Sequence, residues 1–377
     1  MNERETFAAL VLHFAPGVGI AGARRLHEHF GSLEAALEHP DELPRVQGLT
    51  DEARASLADP SLRERAHREW DYDAAHRVRC LSFLDEAYPA RMRKLPDAPL
   101  VLFYCGSAPL NRARVVSVVG TRRVTDYGQK LCSRFLSELS QLCPDVLVVS
   151  GLAYGVDISA HRAALDNRLD TVGVLAHGLD RIYPYAHRSD AGRMVRRGGL
   201  LTEYHVGTEP ERQNFVRRNR IVAGMSDATV VVESAARGGS LITARLAGDY
   251  HRPCFAFPGP VGAPCSEGCN NLIRQGRAVL LQSAFELASA LGWVGSQPTA
   301  QPVQPSLFTE LSDDERQVVD LLRRSPEGIS TDALSAGTGL SVQQLSTTLF
   351  GLEMKGLVRP LAGNGYQLTL RCGVRRG

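Results

Sequence analysis

No stretch of this chain has the apolar length that a membrane-spanning helix requires. No secretory leader is expected either, because the N-terminus reads Asn2-Glu3-Arg4-Glu5 and the apolar stretch after it is only a few residues long. Cysteine is present at eight of 377 positions but nowhere in a C-x-x-C pair. Cys265 and Cys269 stand alone, so no zinc site is expected, and scattered thiols suit a reducing cytoplasm better than a disulfide framework. There is no excess of charge of one sign: the formal net charge is +2, so any nucleic-acid site has to be a local basic patch. A P-loop, a nucleophile elbow and an H-E-x-x-H helix are all missing. These absences predict a cytoplasmic protein without a cofactor, a metal or a catalytic constellation.

What is there divides by texture into three parts. Residues 1–75 read as helical, with apolar periodicity in Phe7, Leu10, Val11 and Phe14 and again in Leu26, Phe30, Leu33 and Leu37. Between the two lies Pro16-Gly17-Val18-Gly19-Ile20-Ala21-Gly22, a literal G-x-G-x-x-G. A dinucleotide fingerprint needs a strand before it, which 9–12 would have to supply, and a second strand after it. The chain instead runs on into a charged, helix-like segment ending at Trp70. A helix-hairpin-helix is the better match, with Leu43-Pro44-Arg45-Val46-Gln47-Gly48-Leu49 as a looser second copy. Phosphate binding by the hairpin and a purely structural turn both remain open.

From residue 80 to 293, short apolar runs at 115–119, 146–149, 171–176, 199–201, 228–232, 254–257 and 278–281 alternate with segments mostly long enough for a helix. Runs without polar alternation, separated by helices, indicate a mostly parallel sheet covered on both faces: a doubly wound α/β domain. Residues 294–307 are rich in proline and glutamine and read as a linker. From 308 to 377, helix, turn, helix and a β-wing follow, which is winged-helix organisation. This last segment holds eight Lys or Arg against eight Asp or Glu, and its second helix carries no cation before Lys355. Major-groove readers need phosphate-neutralising residues, so a protein-contact or weak DNA-contact module is expected there.

In an open α/β sheet, ligands bind beyond the carboxyl ends of the strands. The first run is followed by Gly120-Thr121-Arg122, where glycine permits a tight turn and the arginine suits a phosphate. The second leads into Ser150-Gly151-Leu152-Ala153-Tyr154-Gly155-Val156-Asp157, with His161 one helical turn further on. Glu233 and Arg237-Gly238-Gly239-Ser240 follow the fifth. Such turns occur throughout this fold class, Ser240 can be a plain N-cap, and Asp157 with His161 can be an ordinary i,i+4 pair. The densest stretch is Gln213-Asn214-Phe215-Val216-Arg217-Arg218-Asn219-Arg220-Ile221-Val222-Ala223-Gly224-Met225. At helical spacing Phe215, Val222 and Met225 share a face and read as core, while unpaired arginines cannot follow them inside.

Taken together, these residues closely resemble the DNA-processing protein A family (DprA, also called Smf). The motifs are Val119-Gly120-Thr121-Arg122, the Ser150–Asp157 turn with Ala160-His161, Gly178-Leu179-Asp180 with Tyr183-Pro184, Phe215 with Arg218-Asn219-Arg220-Ile221, Gly239-Ser240-Leu241-Ile242-Thr243-Ala244, Pro258-Gly259, and Gly268-Cys269-Asn270-Asn271-Leu272-Ile273. They span roughly residues 80–282 in the family's order. The resemblance implies an extended Rossmann-like domain between a helix-hairpin-helix (SAM-like) domain and a winged helix. It implies a recombination mediator of natural transformation that binds single-stranded DNA without catalysis, forms a homodimer through the Rossmann-like domain and loads the RecA recombinase. The implied DNA pocket uses Arg122, the basic residue three positions before the phenylalanine (Arg212) and Phe215 itself, which is then a stacking platform and not core. Gly120, Thr121, Gly151, Gly155, Arg218, Asn219, Arg220, Gly239 and Ser240 complete the expected single-stranded DNA site, with the alternative that one of Arg218 and Arg220 braces loops through Glu203 or Asp157. Thr202, His187 and Arg212 depart from the family's usual serine, asparagine and lysine. A competing reading is a nucleotide phosphoribohydrolase on a related fold, with Glu233 as its acid. It lacks that class's Pro-Gly-Gly-x-Gly-Thr turn, for which Arg237-Gly238-Gly239-Ser240 is a poor substitute.

Overall fold

A computed structural model describes residues 2–294, 311–325, 328–355, 357–361 and 365–368. The chain forms two compact units, one through residue 296 and one beyond it. The expected linker falls almost wholly outside the described residues.

The first unit is built on a nine-stranded sheet: β1 (Arg79–Ser82), β2 (Val101–Gly106), β3 (Val115–Val119), β4 (Leu147–Ser150), β5 (Asp170–Val174), β6 (Gly198–Thr202), β7 (Ala228–Val231), β8 (Cys254–Ala256) and β9 (Val279–Leu280). Their order is β1-β2-β6-β5-β4-β3-β7-β8-β9. Strands β6 to β9 run parallel in that order, and β2 joins β6 antiparallel. The seven expected runs are all strands; β1 and β2 were not anticipated. They precede the strand–helix alternation and are separated only by the short Ala90–Arg93 helix, so the cue that exposes the others is absent.

Strand β3 lies in the middle of the seven parallel strands, hydrogen-bonded to β4 on one side and β7 on the other. Its side chains alternate between two cores, as a strand's period of two requires. Val116 and Val118 face a cluster with Leu131, Phe135 and Leu139 of the Asp126–Leu142 helix. Val115 and Val119 face another with Ile221 and Val222 of the Arg212–Gly224 helix. That second core runs on without a break into Leu10, Leu12 and Leu26 of the N-terminal helices and Phe103 and Tyr104 of β2. Thr6 Oγ1 donates to Asp85 (3.0 Å) and the Val206 N–H donates to Glu69 (2.9 Å) across the same junction.

Residues 9–12 lie within the Glu3–His13 helix, so no strand precedes the G-x-G-x-x-G and the dinucleotide alternative fails. Gly17, in left-handed backbone (φ 78°), turns the chain into the Ile20–Phe30 helix, and a Cβ there would sit 3.1 Å from the Ala53 amide nitrogen.

In the second unit the helices Asp313–Arg323, Thr331–Thr338 and Val342–Met354 enclose a core of Val318, Leu322, Leu334, Leu345 and Leu352. Strands β10 (Ile329–Ser330), β11 (Val358–Leu361) and β12 (Gly365–Leu368) form the sheet in the order β10-β12-β11. Ser312 with Glu315, and Ser341 with Gln344, form reciprocal capping boxes that start two of the helices. Lys355, the first cation after Ser341, donates to Glu315 at 2.6 Å, while Val342 and Phe350 are exposed.

Candidate nucleic-acid interface

The order of strands reverses at β3: the chain proceeds to β4, β5 and β6 on one side and to β7, β8 and β9 on the other. Loops leaving the carboxyl ends of β3 and β7 therefore part from each other and leave a crevice, the place where doubly wound sheets hold ligands. The turn after β3 is clamped from both sides. The Thr121 N–H donates to the Glu233 carbonyl (2.7 Å) and the Thr121 carbonyl accepts from the Val156 N–H (3.1 Å). The Glu233 carboxylate accepts from the Thr125 N–H (2.9 Å) and hydroxyl (2.6 Å), capping the turn below the Asp126–Leu142 helix. Glycine is needed twice here. A Cβ on Gly120 would meet Val156 Cγ2 at 2.4 Å, and Gly155 (φ 79°) would place one 2.1 Å from the Thr121 carbonyl oxygen.

Held this way, Arg122 is exposed and its guanidinium carbon lies 5.1 Å from the centroid of the Phe215 ring. This is cation–π distance. The Tyr183 ring lies 5.8 Å from Phe215 on centroids. Arg212 is exposed one helical turn before Phe215, where i and i+3 side chains share a face. Phe215 is half-buried, unlike Val222 (1%) and Met225 (0%), which corrects the helical-spacing expectation that all three share the core.

Arg218 and Arg220 of this helix point elsewhere. Arg218 is only 3% exposed and its Nη1 donates to the Val174 carbonyl at the end of β5 (2.7 Å). Gly151 leaves room for it: a Cβ there would stand 1.7 Å from that nitrogen. Burial lowers the Arg218 pKa, with Asp157 opposing the shift. Burial likewise raises the Asp157 carboxyl pKa, against the pull of Arg218. Arg220 forms an ion pair with Glu203, whose carboxyl pKa is raised by burial and pulled back by Arg220. Ser240 is 5% exposed and donates to the Ser234 hydroxyl (2.9 Å), while Gly239 is exposed and its carbonyl accepts from the Asn219 amide (3.4 Å). His161 is fully buried beneath the loops, with Nδ1 2.7 Å from the Thr171 hydroxyl, and burial lowers its pKa to about 3.

So the structure brings Arg122, Arg212 and Phe215 to one surface and turns Arg218, Arg220 and Ser240 inward. The rings of Tyr183 and Tyr154 were not singled out from sequence, although both lie within the quoted motifs; nothing local distinguishes an exposed tyrosine from a packed one. Glu233, the acid of the phosphoribohydrolase alternative, is 3% exposed and has both carboxylate oxygens bonded to Thr125. It is a structural clamp. Among the described residues no helix is long and apolar enough to cross a membrane, and no cluster of His, Cys, Asp or Glu is placed to hold a metal.

A basic and aromatic surface at the switch point of a doubly wound sheet places the first unit among Rossmann-like proteins with a candidate ligand-binding crevice. The family model for DNA recombination-mediator protein A matches residues 79–292, and that for the DprA winged helix domain matches residues 297–364. The chain belongs to the DprA/Smf family of DNA-processing proteins, which are recombination mediators and not enzymes. It is 40% identical over 288 residues to a putative DNA processing protein DprA of Mycobacterium tuberculosis, covering 76% of this chain and 72% of that one. It is 31% identical over 396 residues to protein Smf of Synechocystis, covering 93% and 96%. The X-ray structure of DprA from Streptococcus pneumoniae superposes with a TM-score of 0.63 at 29% identity, over 76% of this chain and 97% of that one. DprA from Helicobacter pylori, solved for its single-stranded DNA binding mode, superposes with a TM-score of 0.52 at 29% identity, over 57% and 96%.

Proposed function

We propose that this protein binds single-stranded DNA at the crevice beyond β3 and β7 and hands it to the RecA recombinase, acting in the cytoplasm as a recombination mediator in natural transformation. The observation that carries the DNA reading is the pairing of Arg122 with Phe215. A cation beside an aromatic face offers a phosphate and a base their partners at once, and any base can use it because every base has a π-face. Arg212 adds a second cation on the same helical face. Gly120, Thr121, Gly151, Gly155, Asn219 and Gly239 shape the loops around them, and Arg218, Arg220 and Ser240 brace those loops from inside.

Fluorescence anisotropy with single- and double-stranded oligonucleotides over a salt series tests this directly. Single strands are expected to bind more tightly than duplex, with affinity falling steeply as salt rises. Equal affinity for both forms would sink the reading. RecA loading rests on the family resemblance; it is tested by whether the protein speeds RecA filament growth on strands already coated by a single-strand-binding protein.

Homodimerisation through the Rossmann-like domain fits the edge strand β9, where Val279 and Leu280 are 57% and 44% exposed and where, among the described residues, β8 is the one paired strand. Leu280→Asp is expected to halve the mass measured by light scattering. An unchanged dimer would move the interface elsewhere.

A further inference from the structure

The crevice does not end at Arg122. On the side away from the Arg212–Gly224 helix, a groove of about 620 Å³ runs between the Asp126–Leu142 and Val156–Asp166 helices, with Arg122, Arg123, Tyr154 and Arg162 in its lining. We propose, building on the single-stranded DNA reading, that the bound strand continues past Arg122 into this groove and stacks a further base on Tyr154.

Three observations converge on Tyr154. First, it is 50% exposed although the loop that carries it is otherwise well buried, with Gly151, Leu152 and Val156 all inside. Second, its ring is held and not merely solvated. It meets the His187 ring at 4.9 Å and 69°, and His187 is itself 3% exposed with Nδ1 2.9 Å from the Leu152 carbonyl. Because the ring is already held against a buried partner while half of it stays exposed, little side-chain entropy remains to be lost when a base settles on it. Third, the loop takes left-handed backbone at Leu152 (φ 59°), a residue with a fully buried side chain. A non-glycine residue in that region is held there only when its surroundings over-determine it, and such positions cluster at ligand sites.

The charge around the ring suits a phosphodiester chain. Arg122 and Arg123 are exposed at the near end. Arg162 stands at the far end, oriented by Asp190 at 2.9 Å, with its side chain 52% exposed. The one acid in the lining, Asp166, accepts from Arg193 at 2.8 Å, so its charge is countered outside the groove. Arg122 borders both the Phe215 ring and this groove, which makes the two aromatic faces neighbours along one path. Cations spaced between aromatic platforms are how sequence-tolerant single-strand sites track a backbone.

The test compares oligothymidines of roughly 5 and roughly 20 nucleotides, spanning the range of site sizes for single-strand-binding folds. The full-length protein and its Tyr154→Ala, Tyr154→Phe and Arg122→Ala variants are titrated by anisotropy, with circular dichroism checking the fold. Tyr154→Ala is expected to lose about tenfold in affinity for the long strand, the loss of one stacked base, and to stay within about twofold of wild type on the short one. Tyr154→Phe keeps the ring and is expected to match wild type on both. Wild-type affinity of Tyr154→Ala for the long strand overturns the extension, as does an equal loss on both lengths, which would place Tyr154 in the primary pocket. These outcomes are separate from failure of the parent reading. That failure would show as no binding of either strand by wild type, or as full binding by Arg122→Ala.

Discussion

The guanidinium of Arg122 stands 5.1 Å from the centroid of the Phe215 ring, although the two residues belong to different elements on opposite sides of the crevice. One arrives on the turn after β3, the other on the helix that follows β6. Their meeting makes a composite surface that neither segment holds alone. Arg122→Ala and Phe215→Ala should each weaken binding of a single-stranded oligomer, the second by about tenfold if one base stacks there. The double variant should lose less than the product of the two losses, because residues in contact are coupled. A double-mutant cycle by anisotropy reads this, and strict multiplicativity would mean that the two act at separate places.

Arg212 and Arg218 are six positions apart on one helix and face opposite environments, so their alanine variants should fail differently. Arg212→Ala should weaken single-strand binding and leave the urea midpoint unchanged, since its side chain lies at the surface. Arg218→Ala strips the charge that faces buried Asp157 and should destabilise the unit by about 3 kcal/mol. Chemical denaturation beside anisotropy separates the two. A stable, non-binding Arg218→Ala would instead make Arg218 a DNA contact.

Gly155→Ala puts a methyl group 2.1 Å from the Thr121 carbonyl oxygen at a left-handed backbone position. The neighbour it strikes is backbone, which cannot swing away as a side-chain tip can. Destabilisation of about 2 kcal/mol is expected, together with a loss of single-strand affinity as the Arg122 turn shifts. Unchanged binding would show that the turn tolerates displacement.

Two buried groups give opposite pH dependence. Asp73 is 4% exposed, and burial, with Glu69 adding to it, raises its pKa from 3.8 to about 8. The folded state thus prefers the protonated acid. Its contribution to stability is complete below about pH 4 and is lost as pH rises towards 8. Asp73→Asn should therefore be more stable than wild type at pH 8, with the advantage gone by pH 4. His161 is the reverse. Its pKa falls from 6.5 to about 3, so its contribution is present above pH 6.5 and lost as pH falls through 3. His161→Gln should flatten the acid limb of the same curve. Urea midpoints at several pH values check both.

The sequence by itself determined the α/β plan from residue 115 onward, because buried parallel strands and the helices between them leave strong local periodicities. The turns were legible for the same reason: Gly120, Gly151 and Gly155 mark places where the chain must bend or approach closely whatever surrounds them. Strands β1 and β2 escaped notice because they lie outside the alternation and gain their place by antiparallel pairing across a long sequence gap. Tertiary structure alone decided which cations face outward. Arg212, Arg218 and Arg220 have the same chemistry and lie on one helix, yet Arg218 finds the Val174 carbonyl and the space over Gly151, and Arg220 finds Glu203. Those partners come from other strands, so whether each arginine braces a loop or meets solvent depends on contacts that no local pattern encodes.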